Sequence, residues 1–166
     1  MDFEQTYNLW FKPVYAYIRC RIWAENEAED VAAKVWQKVW EKRLQYDPSR
    51  GRTEQWLFGI VRHEVSSYCR KVYLRKILSL SGFEENVPAD IPNACGRLEE
   101  KERNAALFAA VHGLSRTERE LIALKFYSGL NNREIAALVG KSESNVGTIL
   151  HRAFTALRRR LEKYYE

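Results

Sequence analysis

The stretch Gly129-Leu130-Asn131-Asn132-Arg133-Glu134-Ile135-Ala136-Ala137-Leu138-Val139-Gly140-Lys141-Ser142 holds two helix starts and the turn between them. Asn131 is placed to cap a helix, with Glu134 three residues on in the spacing of a capping box. Gly140 suits a left-handed C-cap, and Ser142 is placed to cap a second helix immediately afterwards. So short a turn makes the two helices cross steeply, which is the geometry of a helix-turn-helix. Beyond Ser142, the apolar residues Val146, Ile149, Leu150, Ala153, Leu157 and Leu161 keep one helical stripe. Glu143, Ser144, Asn145, Thr148 and His151 lie mostly off that stripe. With Ser142, Gly147 and Arg152 around them, they are the candidate contacts to the major groove of duplex DNA.

Charge points the same way. Residues 106–166 carry ten Lys/Arg against six Asp/Glu, most of the net +5 of the whole chain. A basic surplus at a helical end is the footprint of a phosphate-binding surface, with Arg152 and the run Arg158-Arg159-Arg160 as its candidates. Any small helical bundle also has capped helices and solvated charge, so this segment alone leaves a protein-binding adaptor open.

The 166 residues, 46% of them hydrophobic and 13% aromatic, suffice for one domain or two small ones with real cores. No apolar run approaches a membrane span, and the start Met1-Asp2-Phe3-Glu4 lacks the basic-then-apolar order of a signal peptide, so the expected location is the cytoplasm, with no membrane insertion. Cys20, Cys69 and Cys95 are odd in number and far apart, which reads as reduced thiols. His63, His112 and His151 are isolated, so no metal site is expected. No Ser/His/Asp set, carboxylate pair or phosphate loop stands out. The expectation is a non-enzyme without cofactor or small-molecule substrate.

Two domains are expected. From Ser79 to Asn93 the chain loses helical periodicity and gains Pro88, Pro92, Gly82 and acidic residues, which is linker chemistry. The division reads as a domain over 1–76, a linker over 77–98 and a second domain over 99–166, all-α throughout. In the first, residues 3–11 and 14–24 are apolar-periodic, with Pro13 read as a break between two helical pieces. Residues 27–44 form the clearest helix: Ala28, Val31, Ala32, Val35 and Val39 share one face, and Asp30, Lys34, Gln37, Lys38 and Glu41 the other. Trp36 and Trp40, one turn apart at the edge of the stripe, read as core.

Tyr46-Asp47-Pro48-Ser49-Arg50-Gly51 is turn chemistry, and Trp56, Leu57, Ile60, Val61 and Val65 restart helical spacing from about Thr53. Arg50, Arg52, Arg62, Arg70 and Lys71 interleave there with Tyr46, Trp56, Phe58, Tyr68 and Tyr73. Cations beside aromatics are what single-stranded nucleic acid asks for, and also what an ordinary helix with core aromatics shows.

Several stretches together carry a resemblance over nearly the whole chain. Ala28-Glu29-Asp30-Val31, Tyr46-Asp47-Pro48-Ser49-Arg50-Gly51, Trp56-Leu57-Phe58-Gly59-Ile60-Val61-Arg62 and Tyr68-Cys69-Arg70-Lys71 resemble the promoter-melting domain of bacterial extracytoplasmic-function sigma factors. Leu114-Ser115, Glu118-Arg119-Glu120-Leu121-Ile122, Gly129-Leu130, Glu134-Ile135-Ala136, His151-Arg152-Ala153 and Leu157-Arg158 are similar to the family's second domain.

The resemblance implies an RNA polymerase specificity subunit that makes and breaks no covalent bond. It implies that the first domain docks on the clamp helices of the largest polymerase subunit through Asp30, Lys34, Gln37, Lys38 and Glu41. The same domain would hold the melted non-template strand through Tyr46, Arg50, Arg52, Thr53, Trp56, Arg62, Arg70 and Lys71. The second domain would hold the flap of the other large subunit and read the upstream promoter element with Ser142, Glu143, Ser144, Asn145, Gly147, Thr148, His151 and Arg152. An anti-sigma factor is the implied regulator, able to hold the protein at the inner membrane. The chain departs from the family pattern at Ala33, Lys34, Thr53, His63, Gly147 and Ile149. A LuxR-like regulator working without core polymerase is the alternative, since Gly129–Ala136 is similar to that family as well.

Overall fold

The computed structural model describes residues 1–78 and 98–162. They form two compact units, each with its own core. The expected linker, apart from its ends, lies outside the described residues, as does Cys95. Among the described residues there are helices and no strands, as the periodicity predicted.

The first unit holds α1 (Phe3–Arg21), α2 (Glu25–Lys42) and α3 (Thr53–Leu78), each packed on the other two. Two one-turn 3-10 helices, Arg43–Gln45 and Pro48–Arg50, lie between α2 and α3. Asp2 caps α1 by accepting a hydrogen bond from the Gln5 amide at 3.2 Å. Pro13 does not break the helix: α1 runs through it for 19 residues. Proline removes one hydrogen bond to the carbonyl four residues back, here that of Leu9, and its ring crowds that carbonyl, at a cost of about 3 kcal/mol. Leu9 is 67% exposed, so water can meet its carbonyl. Val14, Tyr17 and Ile18 are fully buried on the following turns. Burying three large side chains at about 1.5–3 kcal/mol each outweighs the proline penalty, so packing overrides the local signal.

The α2 stripe is buried as predicted, with Ala28, Val31, Ala32, Val35 and Val39 inside, facing Leu57, Phe58, Ile60, Val61 and Val65 of α3. The tryptophan pair splits. Trp36 is buried under the rings of Phe3 and Tyr7, whereas Trp40 is 49% exposed and carries the Arg43 guanidinium 3.5 Å above its ring.

The second unit holds α4 (Leu98–His112), α5 (Arg116–Tyr127), α6 (Asn132–Val139) and α7 (Glu143–Leu161), with α7 packed against the other three. Every expected cap forms. Asn131 and Glu134 make a reciprocal capping box, Gly140 takes φ 69°, and Ser142 accepts from the Asn145 amide at 3.2 Å. A second capping box, Ser115 with Glu118, opens α5. Val146, Leu150, Ala153 and Leu157 bury one side of α7 against Leu121, Leu124, Ile135 and their neighbours.

Candidate nucleic-acid interface

The loop before α3 is held by its own hydrogen bonds. Asp47 Oδ1 accepts from the Ser49 amide at 2.9 Å and from its hydroxyl at 2.7 Å, and these bonds hold the Asp47 carboxyl below the usual carboxylate range. Gly51 has φ 154° and ψ 174°, a region open in practice to glycine alone. A β-carbon there would also sit 2.8 Å from Gln55 Oε1, the oxygen that accepts from the Arg52 amide. Tyr46 closes the loop: its hydroxyl donates to the Gly51 carbonyl at 3.3 Å and accepts from Thr53 Oγ1 at 3.1 Å. Its ring lies 5.5 Å from that of Trp56.

The structure thus groups Tyr46, Thr53 and Trp56 and presents Arg50 and Arg52 beside them. Arg50, 87% exposed in its side chain, lies 3.5 Å from Asp47, and Arg52 lies 3.3 Å from Glu54. The Arg50–Asp47 pair is exposed on both sides, and pairs of that kind are worth at most about 1 kcal/mol. Arg62 is half-buried on α3, with Arg70 and Lys71 exposed about 12 Å further along the helix at 1.5 Å per residue. Phe58, interleaved with these cations in sequence, is fully buried between Trp10 and Tyr17 and belongs to the core. Tyr68 is half-buried; desolvation, with the Glu27 carboxylate nearby, pushes its hydroxyl well up from the usual tyrosine range.

On α2, Asp30, Lys34, Gln37 and Glu41 are exposed and Lys38 is partly so, forming one polar arc. Glu41 accepts from Lys38 Nζ at 2.7 Å and from Gln37 Nε2 at 2.9 Å. The Lys38 bond lowers the Glu41 pKa and raises that of Lys38. Phe3, Tyr7 and Phe11 form a ladder on α1, adjacent rings 6.0 and 5.1 Å apart, whose only signal in the sequence is their i, i+4 spacing.

In the second unit Ser142, Glu143, Ser144, Asn145, Thr148, His151 and Arg152 are all exposed at one end of α7. Ser142 is committed to its cap, and the Thr148 hydroxyl donates to the Ser144 carbonyl at 3.0 Å. Ile149 is half-buried and extends the apolar stripe. Gly147 is also half-buried, yet a β-carbon at that position would meet nothing within 4 Å.

The run Arg158–Arg160 does not act as one. Arg160 reaches back to donate from Nη1 to the Ala110 carbonyl and from Nη2 to the Gly113 carbonyl, both at 2.9 Å. It closes the end of α4 rather than facing a phosphate. Arg158 forms a loose exposed pair with Glu162 at 3.8 Å. No local sequence signal marks Arg160, because its partners lie 47 and 50 residues away.

Among the described residues no His, Cys, Asp and Glu side chains gather in a group able to hold a metal ion, and Cys20 and Cys69 form no disulfide. No described helix is long and apolar enough to cross a membrane.

Residues 5–74 match the family model "Sigma-70 region 2", and residues 94–157 match "Sigma-70, region 4". The chain is 33% identical to the ECF RNA polymerase sigma factor RpoE of Cereibacter sphaeroides over 143 residues, 82% of this chain and 69% of that protein. It belongs to the extracytoplasmic-function sigma factors. This sigma factor is also 28% identical to BldN of Streptomyces coelicolor, over 96% of its own length and 60% of that protein's. Among solved structures it is similar to the sigma factor RpoE in complex with the anti-sigma factor NepR from Bartonella quintana, with a TM-score of 0.79, 27% identity and 97% of each chain covered. CnrH in complex with the cytosolic domain of CnrY shares the fold at a TM-score of 0.66 and 22% identity.

The protein is therefore a non-catalytic initiation factor that directs core RNA polymerase to promoters. The LuxR-like alternative finds no support in these matches.

Proposed function

We propose that the two units divide initiation between them, with boundaries at 1–76 and 99–166. The polar arc Asp30, Lys34, Gln37, Lys38 and Glu41 meets the clamp helices of core polymerase. The Tyr46–Thr53 loop, with Trp56 of α3 behind it, takes an unstacked base of the non-template strand while Arg50, Arg52, Arg62, Arg70 and Lys71 hold its phosphates. The α7 face reads the upstream element as a duplex, and the same unit holds the flap. The observation that carries this division is the loop built around Tyr46: hydrogen bonds of Tyr46, Asp47 and Gln55 hold it, so it presents an aromatic floor with Arg50 and Arg52 beside it. Replacing Arg50 and Arg52 together with alanine is expected to reduce permanganate-reactive promoter melting more than duplex binding. Equal loss of both signals would make the loop a docking surface only.

On α7, Asn145 is exposed and suited to a bidentate contact with adenine, whereas Arg152 is placed to grip phosphate. Asn145→Ala is expected to cost about 1–3 kcal/mol at one base position and to relax choice there. Arg152→Ala should weaken every sequence alike and reduce the salt dependence by about one phosphate contact. A binding selection in which Asn145→Ala lowers all sites equally would remove it from the groove.

The NepR complex of the Bartonella relative supports regulation by an anti-sigma factor here too. We place this sigma factor in the cytoplasm, where such a partner can hold it at the inner membrane until it is released.

A further inference from the structure

Four glycines of this chain have internal reasons. Gly51, Gly129 and Gly140 take φ of 154°, 67° and 69°, and Gly113 leaves room for the Arg160 guanidinium, which a β-carbon would meet at 2.7 Å. Gly147 has neither reason. It sits inside α7 without a positive φ, and a β-carbon there would meet no atom of another described element within 4 Å. Glycine inside a helix disfavours folding relative to alanine, so the position carries a cost that no contact among the described residues repays.

The surroundings point outward. Around Gly147 the first two turns of α7 present Ser144, Asn145, Thr148 and, one turn on, His151, all exposed. From Glu143 to Leu150 the one ionised side chain is Glu143, and the first arginine is Arg152. Arginine or lysine on guanine O6 and N7 is the commonest specific contact in the major groove, and this segment has neither residue to make it. Small hydroxyls, an amide and bare backbone can instead come close to the bases.

Resting on the reading of α7 as the upstream-element helix, we infer that Gly147 is a specificity-determining position. Promoter duplex fills the space that a side chain there would occupy. The helix reads by close approach, with Asn145 on adenine and without a cation on guanine.

The test uses holoenzyme assembled from core polymerase and the full chain. The probe is a promoter duplex recovered by start-site mapping from a genomic fragment library with the unaltered protein. Gly147→Ala and Arg152→Glu are compared with it. Gly147→Ala should raise the Tm of the free protein by about 4 °C, because helix propensity improves while no contact is lost. It should at the same time weaken promoter binding about tenfold, leaving binding to a scrambled duplex of equal length unchanged. Greater stability with unchanged promoter binding would overturn the inference, provided Arg152→Glu still weakens binding. If neither variant affects binding, the assignment of α7 to the upstream element falls instead. A lower Tm for Gly147→Ala would also overturn the inference, since the glycine would then serve the fold.

Discussion

Phe58→Ala should destabilise the N-terminal unit by about 3–5 kcal/mol, the cost of removing a buried ring and leaving a cavity that its neighbours fill only in part. Phe58 is fully buried, and its ring stands edge-on to Trp10 and Tyr17, with centroids 5.8 Å away in both cases. It ties α3 to α1 on both sides of Pro13. Tyr17 is anchored in turn by the Arg21 guanidinium, which donates to its hydroxyl at 3.2 Å, so the ring cannot collapse inward freely. All five tryptophans lie in this unit, so the tryptophan fluorescence transition in urea reports on it alone. The midpoint should fall sharply in the variant, and promoter melting should fail before duplex binding does. A midpoint equal to that of the unaltered protein would mean that Phe58 is a surface residue available to DNA, as its place among the cations in sequence had left open.

Arg160→Ala should cost the C-terminal unit about 2–3 kcal/mol, since it removes two hydrogen bonds from a charged donor, of which one is exposed and counts for less. The bonds end on the Ala110 and Gly113 carbonyls, at the negative end of the α4 dipole, where a cation is favoured. The same guanidinium lies near Glu118, whose carboxyl is held below the usual range first by the Ser115 hydroxyl and amide and then by Arg160 and Arg152. Losing Arg160 therefore frees the end of α4. Far-ultraviolet circular dichroism in urea should show an earlier loss of helix while the tryptophan transition stays in place. At a temperature where both forms are folded, the salt dependence of promoter binding should be unaltered. A salt slope shallower by about one phosphate contact, with stability unchanged, would return Arg160 to the DNA-binding surface.

These two variants mark where reading the chain alone succeeds and where it stops. The helix-turn-helix was legible because its signals are local. Asn131 with Glu134, and Ser142 with the Asn145 amide, are bonds between residues three apart, and Gly140 needs its conformation whatever packs around it. The loop residues Tyr46, Thr53 and Trp56 were legible as a group, but not the hydroxyl chain that joins Tyr46 to Thr53 and Gly51. Arg160 was misplaced and Phe58 left open for a common reason. A basic run and an aromatic among cations look the same in sequence whether they face solvent, a ligand or the core, and the deciding partners lie tens of residues away.

By itself, the sequence determined the all-helical class, the caps and the buried stripes of α2 and α7, because hydrophobic periodicity and end-capping act within a few residues. Tertiary structure alone decided that α1 continues through Pro13, that Trp36 is buried while Trp40 is not, and that Arg160 closes α4. Each of these is a competition between a local preference worth a few kcal/mol at most and burial or hydrogen bonding to a distant segment. That competition is settled only when the segments meet.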